Sequence, residues 1–263
     1  FRYLNDKMGL SGTGYAALTT TDYTYLGTNN GLYSISHNEK EKVRTLKKIK
    51  GIEGQVYSIQ EINGDILVGC HVGAYQIKGT QAIEISGGVG WWLFVSTDDP
   101  DIAIGGGYAG LFLMRKEKGN WRVEKYLSGF SESSRIMAFD QHKTLWMSHG
   151  YKGVYAFKFT EAYDSLTTIK FYDQSNGFPS NVGMNVFQIN GENIFTTIEG
   201  AYRYDHTTDT FTSDKKINEI LGSKTNIKYL LEDNFGDLFF ISEEYSGMLK
   251  NTDWKYELDK RTF

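Results

Sequence analysis

The sequence predicts an all-β fold, a β-propeller of four-stranded antiparallel blades with six repeat units. Three observations carry this prediction. A glycine followed by an apolar residue recurs six times at intervals of 37 to 47 residues, two short apolar segments precede each glycine, and a more polar segment follows it. Four short strands in about 40 to 45 residues are the signature of a propeller blade. The repeated glycines are Gly31, Gly73, Gly110, Gly153, Gly200 and Gly247.

The four strands of each unit, A to D, differ in polarity. Strands A and B are nearly all apolar, as in YAALTT (15–20) and DILVG (65–69), which favours a place near a packed centre. Strand D alternates with charge, as in WRVEKYL (121–127), and suits an outer edge that resists foreign strands. No window has helical periodicity, so we expect helices to be minor. The predicted blades span about 5–49, 50–85, 86–127, 128–172, 173–217 and 218–263.

The first residues are predicted to belong to another blade. FRYL (1–4) matches the end of a D strand such as EKYL (124–127), so we expect it to be the outer strand of a preceding or closing blade. The six units either close a ring with this strand or belong to a larger propeller. Repeat proteins bury their apolar faces against neighbouring repeats, so an isolated open segment would be poorly stable.

One glycine-rich segment imitates a nucleotide-binding motif. DIAIGGGYAGLFLM (101–114) has the G-x-G-x-x-G spacing at Gly105, Gly107 and Gly110. In a dinucleotide-binding fold a helix follows these glycines. Here LFLMRKE follows and aligns with strand C of the first unit, so we interpret the segment as strand B, a hairpin and strand C. The glycines are then expected to supply positive φ in the hairpin.

Composition and motifs argue against several function classes. The net charge of −4 gives no sign of a nucleic-acid surface, and the single Cys70 excludes an internal disulfide. No H-x-H, H-E-x-x-H, C-x-x-C or G-x-S-x-G occurs, so we predict no metal site, no cofactor and no catalytic residue. His142 and His149 flank one strand about 20 Å apart and cannot share a metal.

The repeats resemble a known family. SNGFPSNVGMNVFQINGENIFTTIEGAYRYD (175–205) resembles the two-component-regulator propeller repeat, whose opening N-G-L-P-S-N is matched by residues 176–181. LGTNNGL (26–32), KTLWMSHGYKGVY (143–155) and EDNFGDLFF (232–240) match its other parts. The resemblance extends over all six units and therefore over nearly the whole chain.

This resemblance implies a role. Such repeats are typical of the periplasmic sensor regions of bacterial membrane-spanning regulators, either hybrid two-component systems or one-component regulators with a helix-turn-helix output. It implies a non-catalytic periplasmic module that senses a small molecule or carbohydrate, or contacts another envelope protein. It implies no nucleic-acid binding by this domain and membrane attachment only through flanking segments. Kinase or DNA-binding output belongs to the parent protein, for which a homodimer is left open.

The expected ligand site lies on the loops of one propeller face. The D–A and B–C loops share that face, and functional residues concentrate on such loops. Aromatic platforms beside a few polar groups suit sugars or amphipathic small molecules. Because adjacent strand residues face opposite ways, we expect one of Trp91 and Trp92 in the core and the other near the channel. The candidate rim residues are Trp91, Trp92, Tyr108, Arg135, His149, Tyr151, Lys152, Glu199 and Tyr245.

Two other functions remain open on the sequence alone. A propeller enzyme acting on glycans, a glycosidase or lyase, would need titratable groups with separated pKa values at the channel mouth. An interaction scaffold in a cell-envelope secretion assembly would expose a large apolar patch.

Overall fold

The computed structural model of the 263-residue chain describes residues 6–37, 46–88, 90–252 and 255–259, the side chain of Lys255 excepted. The chain forms two compact units, Phe1–Ser134 and Arg135–Phe263. The described strands form six four-stranded antiparallel sheets, in each of which the strands follow one another in chain order. These sheets are the blades of a β-propeller, three in each unit, so the predicted fold class is confirmed.

The first unit contains blades 1 to 3. Its strands in chain order are β1 (Gly14–Thr19), β2 (Tyr23–Thr28), β3 (Gly31–Ser36), β4 (Lys47–Lys48), β5 (Val56–Ile62), β6 (Asp65–Cys70), β7 (Gly73–Lys78), β8 (Gln81–Gly87), β9 (Trp91–Ser96), β10 (Ile102–Gly107), β11 (Gly110–Glu117) and β12 (Asn120–Tyr126). A single 3-10 turn, Asp6–Met8, precedes them among the described residues.

The second unit contains blades 4 to 6. Its strands are β13 (Ile136–Phe139), β14 (Leu145–His149), β15 (Gly153–Phe159), β16 (Leu166–Tyr172), β17 (Asn185–Ile189), β18 (Glu192–Thr197), β19 (Gly200–Asp205), β20 (Thr210–Ser213), β21 (Ile227–Glu232), β22 (Leu238–Ser242), β23 (Ser246–Thr252) and β24 (Lys255–Asp259). A 3-10 turn, Gln174–Asn176, and one helix, α1 (Lys215–Leu221), complete the described elements.

The repeated glycines occupy equivalent positions, as predicted. Each begins strand C in blades 1 to 5, and Gly247 is the second residue of β23 in blade 6. In the glycine-rich segment, strand β11 follows Gly110 where a dinucleotide-binding fold would have a helix. Only Gly110 has the expected positive φ, at 127°, because Gly105 and Gly107 lie within strand β10.

The burial of a strand depends on whether it is central or at an edge of its sheet. The predicted decrease in burial from strand A to strand D is not what the structure has. Strands B and C are the most buried, as β6 and β7 show. Strand A is largely exposed in β1 and about half exposed in β21, so the expectation of a buried strand A is wrong there. The physical reason is that A and D are the two edges of each sheet, whereas B and C have neighbours on both sides.

Strand D of blade 5 is short and is followed by a helix. In the polar segment FTSDKKI (211–217), which follows strand C of the fifth unit, β20 ends at Ser213 and helix α1 follows. The Asp214 carboxylate caps α1 by accepting a 2.9 Å hydrogen bond from the Ile217 N–H. Ile217 and Leu221 then bury one face of the helix in an apolar cluster. The helix crosses the predicted boundary between residues 217 and 218.

A carboxylate links blades 4 and 5 within the second unit. Asp209 accepts hydrogen bonds from Lys170 Nζ at 2.8 Å and from Tyr172 Oη at 2.7 Å, and a third from Tyr204 Oη. The Lys170 ammonium, followed by the two phenols, lowers the pKa of Asp209 below its usual value. This network joins β16 to the turn between β19 and β20.

We expect the Asp209→Asn change to cost stability in a pH-dependent way. A lowered folded-state pKa contributes stability above the unfolded value of about 3.9 and loses it as pH falls through the folded value. The penalty should therefore be largest near pH 7 and shrink as the pH is lowered below about 4. Urea denaturation of both proteins at pH 7 and pH 3 measures it. An equal penalty at both values would contradict the account.

One prediction concerns residues outside the described set. FRYL (1–4) lies outside the described residues, so its placement in a closing or preceding blade stays a prediction. Among the residues that the structure describes, no helix is long and apolar enough to cross a membrane.

Candidate functional site

Adjacent tryptophans at the start of β9 have different environments. The Trp91 side chain is 0% exposed, and its ring stacks on Phe94 with centroids 5.9 Å apart. Trp92 is half-buried, and its indole Nε1 donates a 2.9 Å hydrogen bond to Ser133 Oγ. Trp91 is therefore a core residue, and Trp92 lies among partly exposed aromatic side chains.

Three aromatic residues occupy the same irregular position in blades 1 to 3. In the pairing of strands A and B, the register shifts at the second residue of the A strand, leaving it without a direct partner. These second residues are Tyr15, Tyr57 and Trp92. A β-bulge bends its strand and re-aims a side chain, and bulges are frequent next to functional sites. The fold thus places one aromatic ring at a re-aimed position in each of blades 1 to 3.

Two of these rings form a cluster with residues of the B–C turns. We call Tyr57, His71, Trp92 and Tyr108 the aromatic cluster. The ring centroids of Tyr57 and Trp92 lie 4.2 Å apart, and those of Trp92 and Tyr108 lie 5.1 Å apart. The hydroxyls of Tyr57 and Tyr108 are hydrogen-bonded at 2.5 Å. His71 Nδ1 lies 3.1 Å from the Tyr108 hydroxyl. The cluster therefore combines ring faces with hydroxyl and imidazole groups.

The environment of the Tyr57 hydroxyl favours its protonated form. Burial, and then the hydrogen bond with Tyr108, raise the pKa of the Tyr57 hydroxyl well above its usual range. The phenol therefore stays protonated at neutral pH, because the charged form loses solvation. It offers a hydrogen-bonding hydroxyl to a ligand, and it is a poor general base.

Glycines near the cluster make room for aromatic rings. A Cβ on Gly90 would lie 2.4 Å from the Tyr108 ring, and one on Gly105 would lie 2.4 Å from the Trp91 ring. A side chain at either position would displace an aromatic ring. The glycine-rich segment is thus explained by close ring packing at Gly105 and by backbone conformation at Gly110, in place of the predicted positive φ throughout.

The remaining predicted rim residues belong to the second unit. Tyr151 is 76% exposed, and His149 Nδ1 accepts a 3.3 Å hydrogen bond from its N–H. The Arg135 guanidinium approaches Gly150, where a Cβ would lie 3.4 Å from Nη1. Lys152 and Glu199 are exposed. Tyr245 is half-buried, with its ring 5.4 Å from that of Phe240.

Two residues of the aromatic cluster were not among the predicted site residues. Tyr57 aligns with Trp92 in the repeat, and that equivalence could have identified it. His71 lies in the B–C turn CHV (70–72), where a lone histidine carries no specific signal. Across the described residues, no group of three or more histidine, cysteine, aspartate or glutamate side chains could hold a metal ion.

Comparison with known proteins finds similarity of structure. No family model matches the chain, and no curated protein matches it in sequence. The extracellular domain of a Bacteroides thetaiotaomicron protein described as a hybrid two-component system is 17% identical, with a TM-score of 0.70. The match covers 98% of this chain and 35% of that one. The chain therefore spans about a third of that domain's length.

Two further structures show how widely the fold is shared. The extracellular domain of a B. thetaiotaomicron protein described as a one-component system is 13% identical over 92% of this chain and 40% of that one, with a TM-score of 0.50. A virginiamycin B lyase from Staphylococcus aureus is 12% identical over 93% of this chain and 83% of that one, with a TM-score of 0.60. The similarity to the two B. thetaiotaomicron extracellular domains confirms, at the level of the fold, the family resemblance that the repeats indicated.

Proposed function

We propose that the chain is a non-catalytic, ligand-sensing propeller module in the extracytoplasmic part of a bacterial membrane-spanning regulator. The observation that carries the proposal is the aromatic cluster, which presents partly exposed rings and neutral hydrogen-bonding groups on one unit. The repeat motifs and the fold shared with extracellular regulator domains support the regulator setting. Kinase or DNA-binding output would lie in other parts of the parent protein.

The cluster suits a small molecule or carbohydrate with both a ring face and hydroxyl groups. Trp92 offers its half-buried indole for stacking, and Tyr108, 37% exposed, offers a second ring. Three polar groups lie within hydrogen-bonding distance of one another: the hydroxyls of Tyr57 and Tyr108 and the imidazole of His71. A ligand hydroxyl that reaches one of them would therefore join the same hydrogen-bond network. The raised pKa of Tyr57 argues against its use as a general base.

Isothermal titration calorimetry with a panel of neutral and acidic oligosaccharides tests this site. We expect saturable binding of at least one class by the wild-type chain, and a loss of tenfold or more in Trp92→Ala and Tyr108→Ala. Removing a buried aromatic contact and a hydrogen bond at a binding site costs about 1.4 kcal/mol or more, which is a factor of ten.

Tyr151→Ala is the matched control, because it removes an exposed tyrosine of the second unit. It should bind as the wild type does. Loss of binding in Tyr151→Ala with retention in Trp92→Ala would place the site in the second unit and overturn the proposed one.

A further inference from the structure

Two histidine rings meet at neighbouring turns of the second unit. His142 lies in the turn between β13 and β14, and His206 lies in the turn between β19 and β20. Their ring centroids are 4.4 Å apart, at an interplanar angle of 69°. Both residues are exposed, and within the described part of the chain neither imidazole has a hydrogen-bond partner. The pair cannot be recognised in the sequence, because its two members are far apart along the chain and lie in different blades.

Both turns are held by hydrogen bonds to backbone groups. Asp140 Oδ1 accepts from the N–H groups of His142 and Thr144, at 2.8 and 2.9 Å. The Asp205 carboxylate accepts from the Thr207 N–H at 2.8 Å. The ring of Tyr204 packs against His206 with centroids 4.7 Å apart. These contacts fix the backbone from which each imidazole projects, so the pair is preorganised.

An unsatisfied polar group lines the cleft beside the pair. His206 and Asn193 line a cleft of about 160 Å³, together with Asp140 and Glu192. Asn193 is only 8% exposed, and its Oδ1 accepts no hydrogen bond from any described residue. Its Nδ2 donates a long hydrogen bond, at 3.4 Å, to the Ala138 carbonyl. A buried acceptor of this kind needs a donor, such as an ordered water.

We propose that His142 and His206 together bind one divalent transition-metal ion of the Zn²⁺, Ni²⁺ or Cu²⁺ class, with water in the remaining coordination positions. Imidazole nitrogen is a preferred ligand of these metals. Two imidazoles on one ion at a tetrahedral angle have ring centres roughly 5.2 Å apart. At the 90° angle of octahedral or square-planar sites, with metal–nitrogen bonds of about 2.1 Å, the ring centres lie roughly 4.5 Å apart. The observed separation of 4.4 Å fits this geometry.

The bound ion would join two neighbouring blades. His142 belongs to blade 4 and His206 to blade 5, whose strands β14 and β19 already contact each other through the rings of Trp146 and Tyr204, with centroids 4.7 Å apart. An ion that binds the folded chain and not the unfolded one stabilises the fold by mass action. The site therefore offers the second unit a metal-dependent clamp, separate from the aromatic cluster.

Titration of the tag-free 263-residue chain with NiCl₂ and ZnCl₂ at pH 7.5 tests the proposal. We expect one saturable site by calorimetry and a rise in Tm with metal concentration. His142→Ala and His206→Ala should each weaken binding at least about tenfold, since each removes one of two protein ligands.

His149→Ala is the control, because it removes another histidine of the second unit that flanks the same strand as His142. It should bind the metal as the wild type does, and circular dichroism without metal should show all variants folded. Absence of saturable binding, unchanged affinity in both single variants, or loss of binding in His149→Ala would each overturn the proposal.

Discussion

Replacing Trp91 by alanine is expected to lower the free energy of unfolding by about 3–5 kcal/mol. The indole is 0% exposed and lies between the rings of Phe94 and Phe112, with centroids at 5.9 and 4.5 Å. Removing it leaves a cavity that the close-packed blade cannot fill, since Gly105 opposite has no side chain to move in. Urea denaturation followed by circular dichroism measures the loss.

Trp92→Ala is the matched control, since it removes the same side chain one residue further along β9. Part of the Trp92 ring stays in contact with water, so its loss should cost about 1–2 kcal/mol. Comparing the two variants distinguishes the contribution of Trp91 to the core from that of Trp92 to the aromatic cluster. An equal cost for both substitutions would contradict the assignment of Trp92 to the aromatic cluster.

Asp214→Ala is expected to destabilise the second unit by about 2–4 kcal/mol. The Asp214 side chain is 1% exposed and forms an ion pair with Arg203 Nε. It also accepts the hydrogen bond from the Ile217 N–H that begins helix α1. Alanine leaves the helix uncapped, and among the described residues it leaves Arg203 with its ion pair to Glu192 alone. The expected cost is below that of a fully buried pair, because Arg203 is 37% exposed.

Asp214→Asn separates the two contributions. Asparagine is a good N-cap, so it retains the hydrogen bond to α1 while it removes the charge. Urea denaturation should place Asp214→Asn between the wild type and Asp214→Ala. Equal destabilisation by the two variants would show that the cap contributes nothing to stability.

The repeat glycines made the fold predictable. At Gly31, Gly110 and Gly153, a Cβ would lie 2.6 Å or less from a backbone carbonyl oxygen of a neighbouring segment. Blades 1, 3 and 4 therefore need a glycine at this position, and the glycine recurs in the sequence with the period of the blade. Helix α1 was missed because seven residues are too few for helical periodicity to be recognised beside strand-like neighbours.

The candidate site was predictable only in part. Alternation along a strand predicted that Trp91 and Trp92 face different environments, and they do. The grouping of Tyr57 and His71 with Trp92 and Tyr108 depends on bulges and on packing between blades. Bulges have no clear sequence signal, and residues brought together from different blades share no local motif. The same reason hid the pair formed by His142 and His206.

Equilibrium dialysis of the chain against a mixture of oligosaccharides, followed by mass spectrometry of both compartments, tests the central claim most directly. The account predicts that at least one compound is enriched on the protein side, that a Trp92→Ala, Tyr108→Ala double variant abolishes the enrichment, and that every compound is recovered intact. Equal distribution of all compounds, or the appearance of shorter or unsaturated products with the wild-type chain, would contradict a non-catalytic sensor.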